Sequence, residues 1–415
     1  MKYATAANWE MDFLEKLEGT SVAGLYGQIW NDPLGGGRMS MFIPRINKDQ
    51  AAYYIGEVRK KGLEFNYLIN ATCFDNSEFT RKGYAQIMEH LEWITSTGAD
   101  MVTVSLPFLV QIIKTQFPHL KVAVSSFARI QNAHIAGYWE DLGADKIILP
   151  EIIGRDFKTL RLIRKAVNCE LELIANHLCL YHCPIDLHHR NMVSHGSQEG
   201  HACGGFAADY CKLNCQRTKL IHPAEMIKSR WIRPEDVGYY EDIGIDYLKI
   251  IERFRSTDSL IQILNAYESG TYSDNLATLL SLPREGASLP PNLDVIERPD
   301  LIVIEKMMEQ LEVLREPFTE KLYIDNSKLD GFLDFFEKVD CLHMDCDQCG
   351  YCEKVAAKAI RIDEEWRKEM IARFDKAVGD LINGKLAGYN KTSGSKGPSV
   401  KGLKSNSPEN HVKRT

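Results

Sequence analysis

The strongest constraint on this chain is its rhythm. From the N-terminus onward, short β-like runs alternate with stretches whose apolar residues recur at helical spacing. The runs are Lys2–Ala6, Val22–Ile29, Phe65–Thr72, Met101–Leu106, Lys121–Ser126, Lys146–Glu151, Glu170–Asn176 and Ile245–Glu252. Helical spacing fills Glu10–Glu18, Lys48–Lys61, Tyr84–Thr97, Leu109–Phe117, Ala133–Leu142, Asp156–Val167 and Pro234–Ile243. Gly62, Gly98, Gly143 and Gly244 each stand just before a strand, where helices end on a left-handed residue. Strictly alternating βα units require parallel pairing with right-handed crossovers, and eight of them close most economically into a (β/α)8 TIM-like barrel. An open doubly wound sheet is the alternative, but no Gly-x-Gly-x-x-Gly follows any strand. The run Gly35, Gly36, Gly37 reads as a flexible loop rather than a phosphate cradle.

A barrel brings the strand C-terminal ends to one mouth, where this architecture places its active sites. Asn70, Ser105, Ser125, Ser126, Glu151, Asn176 and Arg253 fall there. A cysteine-rich loop, 176–217, leaves the seventh end and holds Cys179, Cys183, Cys203, Cys211 and Cys215, five of the chain's 11 cysteines. Barrel and loop together span 1–275; 276–327 reads as a linker with connecting helices, including Ile302–Leu314. A small, mostly helical domain at 328–385 follows, with helices at Lys328–Val339 and roughly Glu353–Ile382 around a second group, Cys341, Cys346, Cys349 and Cys352. The Lys-, Ser- and Gly-rich 386–415 is predicted to be disordered.

Closely spaced cysteines in a chain without a secretory signal are metal or cluster ligands more often than disulfides. Cys341-x4-Cys-x2-Cys-x2-Cys suits a 4Fe–4S cluster, whose short spacers let successive thiolates grip one cubane and whose turn uses Gly350; zinc is the alternative. Cys179-x3-Cys183 and Cys211-x3-Cys215 make two paired knuckles, a second four-ligand set that leaves Cys203 over. One or two clusters are therefore expected. His177, His182, His188, His189, His195 and His201 crowd the same loop, where one could ligate or shuttle a proton.

A net charge of -7 argues against general nucleic-acid binding, leaving only a local patch for RNA. No run of about 18 uncharged apolar residues occurs, so the expectation is a cytoplasmic protein with no membrane partner. His-Glu-x-x-His and Gly-x-Ser-x-Gly are both absent, which disfavours two common hydrolase chemistries.

The order of motifs resembles the collagenase-like peptidase family U32. The matching features are Arg38, Asn70, Val124–Asn132, Leu149–Glu151, Leu178–Cys179, Cys211–Arg217 and Tyr247–Ser256. Two departures stand out. Where the family has His-Gly-Ala-Leu-Cys, this chain has Ala175-Asn176-His177-Leu178-Cys179; its Glu252 falls one place late and is predicted to point to the opposite strand face. The resemblance implies two competing activities: proteolysis, or iron–sulfur-dependent hydroxylation of an RNA base or a small aromatic, quinone-like substrate without dioxygen, with prephenate as co-substrate. Arg38, Lys249 and Arg253 become candidate anion clamps, and Asn70, Ser126 and Glu151 candidates for orienting substrate or moving protons. The second cysteine group would relay electrons or serve structure, with a redox partner or a related U32 subunit as candidate partners. A non-catalytic electron-transfer or maturation role is the third reading.

Overall fold

The computed structural model describes residues 1–201, 209–253, 255–283 and 312–385. Eight parallel strands, β1 (Lys2–Ala6), β2 (Val22–Gly27), β3 (Glu64–Ile69), β4 (Met101–Val104), β5 (Lys121–Val124), β6 (Lys146–Leu149), β7 (Glu170–Ile174) and β8 (Tyr247–Ile250), pair in sequence order. The barrel closes by β1 against β8, with Lys2 opposite Tyr247 and Thr5 opposite Ile250. The predicted architecture is the observed one. Helices α1 (Met11–Lys16), α2 (Lys48–Lys60), α3 (Arg81–Ser96), α4 (Pro107–Gln116), α5 (Ala133–Asp141) and α6 (Phe157–Ala166) fill the first six connections. Their starts are capped where the sequence supplies an acceptor: Asn47 and Gln50 form a capping box on α2, and Thr80, Asn132 and Asp156 cap α3, α5 and α6. Gly62, Gly98, Gly143 and Gly244 all have positive φ, between 75° and 106°, which ends each helix and aims the chain at the next strand.

The main apolar core lies between barrel and helices, with Phe65, Val102, Val122, Leu149, Leu171 and Leu248 facing outward from the strands. Inside the barrel, Tyr26, Leu68, Met101, Ala123, Ile148 and Ile174 are apolar and buried. A charged group shares the interior with them. Glu172 accepts from Lys249 Nζ at 3.1 Å and lies 3.7 Å from Lys146 Nζ, while the two ammonium groups rest over the rings of Tyr26 and Tyr247 at 3.9 and 3.4 Å. Paired charge plus ring faces replaces the water these groups lose on burial.

The long β7–β8 connection builds a cap from α7 (Asp186–His195), α8 (Tyr210–Ile221) and α9 (Ala224–Lys228), then α10 (Val237–Ile243) returns to the barrel wall. Cys203 lies outside the described residues. After α11 (Thr257–Ser269) the chain reaches β9 (Leu322–Ile324), α12 (Asp334–Lys338), α13 (Cys346–Cys349), α14 (Tyr351–Ala359), β10 (Ile360–Ile362) and α15 (Glu364–Ile382). The single helix expected over Glu353–Ile382 is thus two helices separated by a strand. Ile360–Ile362 pairs antiparallel with Leu322–Ile324, and Asp363 caps the helix that restarts. The expected helix at Lys328–Val339 is also shorter, a 3-10 turn at Asn326–Leu329 followed by α12. Most of the linker, most of Ile302–Leu314 and the tail 386–415 lie outside the described residues. The C-terminal segment docks on the cap: α15 packs along α8 and α14 along α9. Arg367 donates to the carbonyls of Leu220 and Ile221, and Lys228 pairs with Glu353 at 2.7 Å.

Candidate functional site

The strand ends and the cap enclose a cavity of about 290 Å³. Every predicted mouth residue named as a candidate lines it: Arg38, Asn70, Ser126, Glu151, Lys249 and Arg253, together with Cys179, Cys183, Cys211 and Cys215. Asn176, by contrast, is structural, accepting from the Ile251 N–H at 2.9 Å and donating to the Leu279 carbonyl at 3.1 Å.

One wall is cationic. Arg253 is buried and donates to Gln28 Oε1 at 2.8 Å; burial and then the charge of Arg38 push its guanidinium down to about 10. Two guanidinium groups held this near each other repel, which an anion between them would relieve. Arg38 Nη2 lies 3.8 Å from Glu252 Oε1. That contact corrects the expectation that Glu252 points away from the mouth. Strand β8 ends at Ile250 and Glu252 takes φ 101°, so strand alternation stops before it and its carboxylate turns into the cavity. Lys249 does not extend the cationic wall, because its ammonium belongs to the Glu172 pair below; burial lowers its pKa and Glu172 opposes the shift.

The Gly35–Gly37 run is also corrected: it is packed tightly into the wall. Asp32 accepts from the N–H groups of Leu34 and Gly35, both at 2.8 Å, Gly36 N–H donates to Ser197 Oγ and Gly37 N–H to Asn70 Oδ1. A Cβ on Gly36 would stand 2.0 Å from Gln28 Oε1. Asn70 in turn donates to Ser125 Oγ at 2.9 Å, so its amide is fixed, and Ser126 opens the 3-10 turn beside it.

The opposite wall carries an acid–base pair. Glu151 Oε1 lies 2.6 Å from His177 Nδ1 and its Oε2 3.5 Å from Arg190 Nη2. Burial opposes ionisation of Glu151, but His177 and Arg190 outweigh it and hold the carboxyl well below the usual range. Arg190 is itself held by Asp186, with Nε 2.8 Å from Oδ1, and lies over the Phe127 ring at 4.7 Å. Sequence reasoning missed Asp186, Arg190, Asp209 and Lys212, all on the cap, and Gln28. The available signal was the i,i+4 pair Asp186 and Arg190 inside a segment treated as cysteine loop.

The four thiols of the first group meet on the cap side of this cavity, two from the loop after β7 and two one turn apart on α8. Burial, Asp209 and the neighbouring thiols push Cys211 up to about 12; burial, Glu151 and Cys215 raise Cys179. Buried sulfurs that oppose each other's ionisation suit a shared metal core, whose positive charge removes that conflict. Cys341, Cys346, Cys349 and Cys352 line a second, smaller pocket beneath Tyr181 and Arg230, with Gly350 at φ 58° turning the chain between the last two. Each four-cysteine set thus lines one pocket and supplies the number and type of donors that a cluster takes. No helix among the described residues is long and apolar enough to cross a membrane.

An uncharacterized protease of Methanocaldococcus jannaschii is 28% identical over 329 residues, 79% of this chain and 86% of that protein. The solved structure of the U32 peptidase Mk0906 covers 60% of this chain and 92% of its own, at 20% identity and a TM-score of 0.46. The model of peptidase family U32 matches residues 46–275. With more than half its length so matched, the chain belongs to peptidase family U32.

Proposed function

We propose that this U32 chain is an iron–sulfur enzyme that hydroxylates an RNA base or a small aromatic, quinone-like substrate without dioxygen. The observation that supports this most is the meeting of Cys179, Cys183, Cys211 and Cys215 in the wall of the same cavity as Arg38, Arg253 and Glu151. The four thiols would hold a 4Fe–4S cluster, which when bound supplies one-electron chemistry at the cavity wall. Arg38 and Arg253 would bind the carboxylates of an anionic co-substrate such as prephenate. Asn70, its amide already fixed by Gly37 and Ser125, would orient a polar edge, with Ser126 beside it. His177, held by Glu151 at 2.6 Å, would accept or return a proton at its other ring nitrogen. The cap, tied down by α15, would keep bulk water out while this happens. The second cysteine group would hold another cluster that relays electrons, or zinc in a structural role.

The test is iron and acid-labile sulfide per chain on anaerobically purified protein, with its EPR spectrum. About eight irons are expected for two cubanes and about four for one. Cys179→Ser and Cys211→Ser should each remove about four. Zinc alone, or no metal, overturns the reading. The peptidase alternative, favoured by the relative's name, requires cleavage of a protein substrate that survives loss of iron.

A further inference from the structure

A third set of metal-binding donors meets away from the mouth, at the outer edge of the cap. Cys73 and Asp75 lie in the loop after β3; His195 closes α7 and His201 follows it. Cys73 Sγ, an Asp75 carboxylate oxygen and a His195 ring nitrogen all lie within 4.8 Å of one another. His195 Nε2 is 3.5 Å from Asp75 Oδ1, and His201 Nε2 is 3.1 Å from Oδ2. The two imidazoles stack at 4.4 Å with 13° between their planes, so they do not aim at one point; His201 packs against His195 and pairs with the other Asp75 oxygen. The Asp75 N–H donates to the Cys73 sulfur at 3.3 Å.

We propose that Cys73, Asp75 and His195 form a site for one divalent transition metal of the zinc class, with the fourth position left to water and His201 packed behind His195, and that the ion clamps the β3 loop to the cap. One thiolate and one carboxylate with one neutral imidazole balance a charge of about +2, and S, N and O donors of this mixture select zinc-like ions over magnesium or calcium. Ligand atoms of a tetrahedral zinc site stand about 3.3–3.8 Å apart. The separations of 3.5 and 3.9 Å from Asp75 Oδ1 to His195 Nε2 and Cys73 Sγ are already near that. The backbone is shaped for it: Asp75 and Asn76 are both left-handed, at φ 53° and 58°, which side chains other than glycine adopt reluctantly. The two segments are also pinned beside the donors. Thr72 N–H donates to Ser194 Oγ at 3.0 Å and Gln198 Nε2 to the Cys73 carbonyl at 2.6 Å. A surface Asp–His ion pair does not need the thiol. The clamp joins the loop that begins at Asn70 to the helix carrying Asp186 and Arg190, and so fixes the cap above the cavity.

Co²⁺ and Zn²⁺ titrations of the full-length chain test this, comparing wild type with Cys73→Ser, Asp75→Asn and His195→Gln. Each variant is expected to bind one ion fewer per chain, and Cys73→Ser to lose the thiolate-to-cobalt absorption of this site. Zn²⁺ should raise the melting temperature of wild type more than that of the variants. Iron and sulfide are counted on the same samples and should not change, which separates this site from the mouth cluster. His195→Gln is only partly buried and gives a folded control if Cys73→Ser does not fold. Unchanged Co²⁺ stoichiometry and spectrum in folded variants overturns the proposal.

Discussion

Asp32 shows how much of the mouth depends on one carboxylate. It is completely buried, receives the Tyr67 hydroxyl at 2.6 Å, lies 3.0 Å from His90 Nε2 and holds the start of the glycine run. Asp32→Asn should therefore cost about 3 kcal/mol in denaturant unfolding, because His90 and Tyr67 stay buried with a poorer partner. Burial alone would raise the Asp32 pKa, but His90, Tyr67 and the backbone donors outweigh it and lower the net value. A lowered folded value means stability that is present above about pH 4, the unfolded carboxyl range, and is lost as pH falls. The gap between wild type and Asp32→Asn should thus narrow in acid; a gap that widens would contradict this assignment. Gly36→Ala tests the same wall from the other side. Its Cβ would displace Gln28, the acceptor that aims Arg253, so anion binding should weaken about 10-fold in a prephenate titration while the barrel stays folded. Arg253→Ala should weaken it about 10- to 100-fold, the loss expected for a charge-assisted contact. Arg253 and Glu151 were legible in the sequence because strand ends fix where they stand. Asp32, Gln28 and Arg190 were not, since loops and a cap helix bring them in by long-range packing that no local spacing encodes.

At the scale of elements, the barrel was legible because each βα unit carries its own signals: apolar periodicity, a cap and a terminal glycine. The C-terminal segment was not, because Ile360–Ile362 is extended only by virtue of its partner, β9, from about forty residues upstream, and tertiary pairing overrode a plausible helix. That segment matters for the site through α8, whose Cys211 and Cys215 face the cavity while its far end is held by Arg367 on α15. Two charge-assisted hydrogen bonds to the last carbonyls of α8 stabilise the cap by about 1.5–3 kcal/mol. Arg367→Ala should accordingly speed amide exchange in the last turn of α8 by about 10- to 100-fold, with the barrel strands unaffected. Unchanged exchange there would mean that apolar packing alone holds the cap.

For the molecule as a whole, the question is whether its two cysteine groups are one device or two. Tyr181 lies between them: it borders a small cavity with Cys179 and Cys183 on one side and the pocket of Cys341, Cys346 and Cys352 on the other. The Arg230 guanidinium covers its ring at 3.7 Å and lowers the cost of its neighbouring thiols' charge, Cys352 among them. The groups nevertheless draw their ligands from separate elements, the β7 loop and α8 for one and α13, the start of α14 and the 3-10 turn at Cys341–His343 for the other. Ligand sets that share no residue should fill independently. Replacing Cys346 and Cys349 by Ser should then reduce iron from about eight to about four per chain and leave the EPR signal of the mouth cluster in place. Loss of all iron would make the C-terminal group a condition for building the mouth cluster, and unchanged iron would assign that group to zinc. If the independent outcome holds while reduction of the mouth cluster becomes slower, the second group is an electron relay rather than a brace, since a brace alters folding stability and leaves the rate of reduction alone.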